Sequence, residues 1–207
     1  MQHFEYSGKP KVFSKEISVK NLVVLTDILN KHNIKYWLQD GTLLGYYREK
    51  DLISHDKDTD LGLMWSDIAD KKYIIKEILS KGFKISKIKG YMKESLLLTF
   101  KRDGQTTDFF FYYNNGDKIY HCATGKNWEI YTYEYEPFEV KLVEFLGHWF
   151  YVPDDERKFI VTKYGPDWMT PKPKWRNITS PLNAVASSNF IDIKKCRKEV
   201  RTWLKKD

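Results

Sequence analysis

The chain has 207 residues, of which 42% are hydrophobic and 16% aromatic, and it carries a formal net charge of +7. This composition excludes a disordered chain and is enough for one compact domain, 1–207, with a sizeable core. The positive balance suits an anionic partner, but the lysines are scattered without the dense block of a nucleic-acid arm, so no nucleic acid is expected.

The opening stretch, residues 1–16, lacks the apolar run of a signal peptide, and no segment approaches the length of a membrane span. If the chain is whole, a cytosolic location and no transmembrane segment follow. Residues 15–33 place Ile17, Leu22, Leu25, Ile28 and Leu29 on one stripe, which predicts an amphipathic helix. Residues 35–38 read as a short strand. Asp40-Gly41-Thr42 is a turn that can open a helix over 42–49 and direct backbone N–H groups at a phosphate.

The next segment carries the strongest chemical signal. Asp56, Asp58 and Asp60 alternate with Lys57 and Thr59, and Leu61, Leu63, Met64 and Trp65 follow at once. In a strand over 59–65 successive side chains point to opposite faces, so the three aspartates share an edge. Close carboxylates resist joint ionisation, and a divalent cation with oxygen ligands relieves that resistance. A solvated edge strand also carries such charges, but here the strand runs directly into a core. A calcium loop needs glycine at its sixth position, where Leu61 stands, and a bidentate glutamate at its twelfth, where Asp67 stands.

Helical spacing returns over 67–81, and Gly82 closes it. From Phe83 the period changes to two. Strands are expected at 83–86, 95–100, 106–113, 118–122, 128–135, 140–145 and 147–152. A helix capped by Pro153-Asp154-Asp155 runs to about Tyr164, an ordered loop covers 165–181, and a basic helix covers 190–204. The fold class is α+β, a mixed or antiparallel sheet flanked by helices. Cys122 and Cys196 lie far apart with no CxxC neighbour, as reduced thiols do.

A metal site for phosphoryl chemistry needs a further carboxylate on a neighbouring strand. Asp108 is the candidate, because it sits alone in the apolar, aromatic run TTDFFFYY, where an unpaired carboxylate is costly; a salt bridge is the ordinary alternative. Asp103, beside Gly104, belongs to a turn. His55 reads as a hydrogen-bonded structural residue or a catalyst, and His121 and His148 read as core or rim residues. Trp168, Trp175 and Tyr164 could stack on a sugar or cytosine ring, or simply pack a loop.

Three ordered segments, WLQDGTLLGYYREKDLISHDKDTDLGL, TTDFF and VPDDERKFIVTKYGPDWMTPKPKW, resemble the LicD/fukutin family of nucleotidyltransferase-fold proteins over about 36–175. The resemblance implies transfer of a phosphorylated alcohol such as phosphocholine, ribitol phosphate or glycerol phosphate. The donor would be CDP-linked, the acceptor a glycan or glycolipid, and the cofactor Mg²⁺ or Mn²⁺. Carried onto this sequence, it makes Asp58 and Asp60 metal ligands, with Asp108 the third acidic residue. Gly41 and Thr42 would meet donor phosphate, and Arg48 would hold a phosphate bidentately. Asp56, beside this set, would orient Arg48 or a lysine. His55 and Lys57 depart from the family's common pattern and bear on donor and acceptor preference. Transfer of a nucleoside monophosphate from an NTP, and a catalytically silent glycan- or nucleotide-binding module, are the competing readings.

Overall fold

The computed structural model describes residues 13–205. They form an eight-stranded mixed sheet flanked by helices, with a separate two-stranded hairpin, which is the α+β class the sequence predicts. The signal-peptide expectation falls mostly on residues 1–12, outside those described. Among the described residues no helix is long and apolar enough to cross a membrane.

Helix α1 (Lys15–Lys31) starts at Ser14, whose side chain accepts a hydrogen bond from the Ile17 N–H at 3.4 Å, and it buries Leu22, Leu25, Ile28 and Leu29. Strand β1 (Tyr36–Leu38) leads into α2 (Asp40–Leu44). The single helix expected over 42–49 is instead this short α-helix followed by a π-helical turn, Gly45–Glu49. The wider turn, ending at Lys50 with φ 56°, redirects the chain so that Leu52 and Ile53 enter the core.

Strand β2 (Asp58–Met64) pairs antiparallel with β1 and parallel with β5 (Gln105–Asn115). Gly62 of β2 lies under the Trp37 indole, where a Cβ would collide with the ring. Helix α3 (Lys71–Ser80) begins four residues later than its apolar spacing suggests, because Asp70 is the cap: its carboxylate accepts from the Tyr73 N–H at 2.9 Å. Ile68 is buried from the turn before the helix.

Strands β3 (Lys84–Lys89) and β4 (Leu97–Arg102) extend the sheet beyond β5. The β4–β5 hairpin turns at Asp103 and Gly104, with φ 48° and 85°, as a type I′ turn requires. The far end of β5 pairs with β6 (Lys118–Thr124), and β6 with β7 (Glu129–Tyr135). Strands β8 (Val140–Phe145) and β9 (His148–Pro153) form the hairpin, and α4 (Glu156–Tyr164) follows, capped by Asp155.

The loop expected after Tyr164 is present, but the chain then adds a strand absent from the sequence reading, β10 (Ala184–Phe190), on the edge of β7. The last helix, α5 (Ile193–Lys205), therefore starts after this strand and not at residue 190. Edge placement explains the miss: Val185 and Phe190 are exposed, so β10 lacks a two-faced apolar pattern.

Candidate active site

The register of the sheet sets the site. Asp60 of β2 is the direct partner of Asp108 on β5, and Asp58 lies two residues back on the same face. With Asp40 and Asp56 these three carboxylates line one cavity of about 680 Å³. The lining also includes Lys163, Tyr164, Trp168 and Trp175 from α4 and the loop after it.

Burial raises the carboxyl pKa of Asp58, and the negative charges of Asp108 and Asp56 add to it, to about 6. Asp60, 8% exposed, is pushed well above the usual range by burial and then by Asp58 and Asp40. Burial raises Asp108 and Asp56 as well, with His55 partly offsetting the shift at Asp56. Asp108 Oδ1 has no hydrogen-bond partner among the described residues. No ion pair satisfies Asp108 there, so the salt-bridge alternative is not the one adopted.

Neighbouring residues fix the geometry. The Asp60 N–H donates to Thr42 Oγ1 at 2.8 Å, which ties α2 to the metal-candidate strand. Thr42 itself is buried and does not line the cavity, whereas Gly41 does. A Cβ at Gly41 would displace the Asp56 carboxylate, which occupies that space. Arg48 also lines the cavity, but its guanidinium donates to the Trp168 carbonyl at 3.2 Å and to Glu49 Oε1 at 2.6 Å, fastening the C-terminal loop over the site.

Three functional candidates are absent from the sequence reading. Lys163, 3% exposed, pairs with Asp40, and both line the cavity. Burial opposes ionisation of Asp40, but Lys163 together with the Gln39 amide outweighs it and holds its carboxyl below the usual range. Gln39 is in turn held by donors from Trp37 at 2.8 Å and Tyr112 at 3.1 Å. Lys89 of β3 reaches the same cavity. For Lys163 a signal existed, since it falls on the buried stripe of α4 with Phe159 and Ile160, where a lysine needs a partner.

His121 is a core residue on a strand, as expected, 1% exposed and stacked on Tyr133 at 4.8 Å. Burial drives its imidazole down to about 3, so the ring is neutral. It nevertheless borders the cavity, and neither ring nitrogen has a hydrogen-bond partner among the described residues. Trp175 Nε1 is also without one. His148 is an exposed rim residue. Tyr164 and Trp175 pack against each other at 5.0 Å and Trp168 against Tyr47 at 5.3 Å, while Tyr164, Trp168 and Trp175 all line the cavity.

The donor set suits a hard divalent cation: it is all oxygen, its carboxylates have raised affinity for a positive charge, and Asp108 Oδ1 is unpartnered. Among the described residues no three acidic or imidazole side chains already stand in a closed ligand shell. The aspartates thus share a face and a cavity without being drawn onto one point.

Residues 33–155 match the family described as LicD/FKTN/FKRP, nucleotidyltransferase domain. The chain belongs to the LicD family. It is 32% identical over 169 residues to a human protein named ribitol-5-phosphate transferase FKTN, covering 80% of this chain and 36% of that protein. The macaque protein of the same name gives the same figures. An uncharacterized Rickettsia typhi protein is 30% identical over 157 residues, 74% of this chain and 47% of its own length. The chain thus spans about a third of the named LicD relatives. Among solved structures, a lincosamide antibiotic adenylyltransferase overlays with a TM-score of 0.48 at 14% identity, over 72% of this chain and 85% of that one.

Proposed function

We propose that this LicD-family chain is a metal-dependent transferase. It moves a phosphorylated alcohol, of the ribitol phosphate, glycerol phosphate or phosphocholine type, from a CDP-linked donor to a glycan or glycolipid hydroxyl, releasing CMP. The observation that carries this reading is the pairing of Asp60 with Asp108 across parallel strands, with Asp58 on the same face, at the floor of a cavity walled by aromatics. The relatives named ribitol-5-phosphate transferase support the substrate class.

Asp58, Asp60 and one oxygen of Asp108 are the residues to hold Mg²⁺ or Mn²⁺. When bound, the cation supplies charge neutralisation for the donor diphosphate and the departing CMP. Asp108 accepts the proton of the attacking hydroxyl: the O–H bond breaks, the new O–P bond forms and the P–O bond to CMP breaks. Its raised pKa suits that step. Thr42 holds the Asp60 backbone, and the Trp168–Trp175 loop, fastened by Arg48, excludes water and offers flat faces to sugar or cytosine.

The test is incubation with CDP-ribitol, CDP-glycerol and CDP-choline plus Mg²⁺ or Mn²⁺, following CMP. Release of CMP with one of these supports the reading. Pyrophosphate release from an NTP instead would establish nucleotidyl transfer, to which the family's description as a nucleotidyltransferase domain also points.

A further inference from the structure

The sheet register carries the row of Asp60 and Asp108 further, onto cations. Asp108 opposes Thr99 on β4, and Thr99 opposes Lys87 on β3. Residues directly opposite each other share a face, so Lys87 belongs to the same face as the carboxylates, at the rim two strands away. Lys89 follows two residues on, opposite Leu97, and it lines the cavity together with Asp58 and Asp108. Helix α5 packs on β3 and brings the exposed Arg197 within electrostatic range of Lys89.

These three cations have no ion pair among the described residues, although the described residues form ten such pairs elsewhere. Lys89 is only partly exposed. Its ammonium is held below the usual lysine range by burial, then by the charge of Lys87, with Asp108 opposing the shift and Arg197 adding to it. Asp108 attracts Lys87 and Lys89 without contacting them, and three cations gathered in a partly dehydrated spot favour a further anion that does. Charge balance for the aspartates is an incomplete account, because no cation of the three comes within 4 Å of a carboxylate oxygen. Lys194, Lys198 and Arg201 continue the positive surface along the exposed side of α5, which guides an anion inward.

We propose that Lys87, Lys89 and Arg197 form a phosphate-binding site at the β3 rim of the cleft, separate from the aspartates and used by a phosphate group of a substrate. The inference deepens the transferase reading and rests on it for the word substrate, but the site itself is defined without it. The phosphate comes from the donor or from a phosphorylated acceptor, and the experiment separates these.

The first measurement is calorimetric binding of inorganic pyrophosphate in chelator, which needs no transfer activity. Wild type is compared with Lys89→Met, Arg197→Gln and the Lys87→Met/Lys89→Met pair, each checked by thermal melting. A single cooperative melting transition, as in wild type, shows that each variant is folded. Their pyrophosphate affinity is expected to fall at least tenfold, with a flatter salt dependence. Equal affinity in folded variants and wild type overturns the site. The second measurement is KM. A rise for the CDP-alcohol donor, read as CMP release into water without acceptor, assigns the phosphate to the donor. A rise only for a phosphorylated glycan acceptor, with donor hydrolysis unchanged, assigns it to the acceptor. Lost pyrophosphate binding with both KM values unchanged shows an adventitious ion only and overturns the substrate role. Absence of CMP release from wild type defeats the transferase reading while leaving the pyrophosphate result to stand by itself.

Discussion

Lys163 and Asp40 form an ion pair in the lining of the acidic cleft, joining α4 to the first residue of α2, which adopts φ 46°. A non-glycine residue in the left-handed region is strained, and here the strain is held by the lysine and by the Gln39 amide at 2.7 Å. Replacing Lys163 by Met leaves the largely buried Asp40 carboxylate with only the Gln39 amide as partner among the described residues. A loss of about 3–5 kcal/mol in urea unfolding is expected. Adding Asp40→Asn should return part of it. A single variant as stable as wild type would refute the structural role of the pair.

The acidic cluster makes stability depend on pH with a definite sign. An unfolded Asp titrates near 3.8, whereas Asp58 in the folded protein titrates at about 6. The folded state thus binds the proton more tightly, so this contribution is fully present below pH 4 and is lost as pH rises through 6. In chelator, melting temperature should fall between pH 5 and 7.5. Asp58→Asn should flatten that slope and melt about 2–4 °C higher at pH 7.5, the shift for 1 kcal/mol in a domain of this size. Added Mg²⁺ or Mn²⁺ should raise wild type more than the variant.

For Asp60→Asn and Asp108→Asn we expect CMP release to drop by roughly three orders of magnitude, the several kcal/mol attributed to a placed metal or proton acceptor. Far-UV circular dichroism should stay unchanged. Turnover within a factor of two of wild type in either variant would remove that residue from the machinery.

Arg48 spans the cleft from the π-helical turn to the Trp168 carbonyl. Lysine cannot reproduce two divergent donors, so Arg48→Lys should loosen the loop after Tyr164. The expected signs are faster proteolysis within residues 165–183 and a higher donor KM with little change in melting temperature. Unaltered proteolysis would show that the loop is held by its aromatic packing alone.

Much of this arrangement was legible in the chain. The alternation of Asp56 to Asp60 followed by Leu61 to Trp65 marks a strand entering the core from an acidic edge, and Asp108 in an aromatic run marks its neighbour. That these two neighbouring strands run parallel was not legible, because pairing direction is decided by packing across distant segments. The π-helical turn was hidden for a similar reason: the 42–49 segment satisfies helical spacing, and only the course of Leu52 and Ile53 demands the wider turn. Lys163 looked like one more lysine among many until α4 turned it inward to Asp40. Strand β10 offers Ser187 and a solvent-facing Val185, and its identity comes from the β7 edge it completes.

Among the described strands β2 and β5 make the one parallel pairing, and the Thr59–Thr107 hydroxyl contact beneath it joins positions 48 residues apart in sequence. Parallel neighbours cannot be joined by a tight turn, so α3, β3 and β4 lie within the crossover that this pairing closes. Loop-closure entropy makes such long-range pairing slow. Catalytic competence should therefore be among the last properties acquired during refolding, with mutual repulsion of the aspartates opposing the final step. A divalent salt present from the outset would then accelerate recovery of the native state.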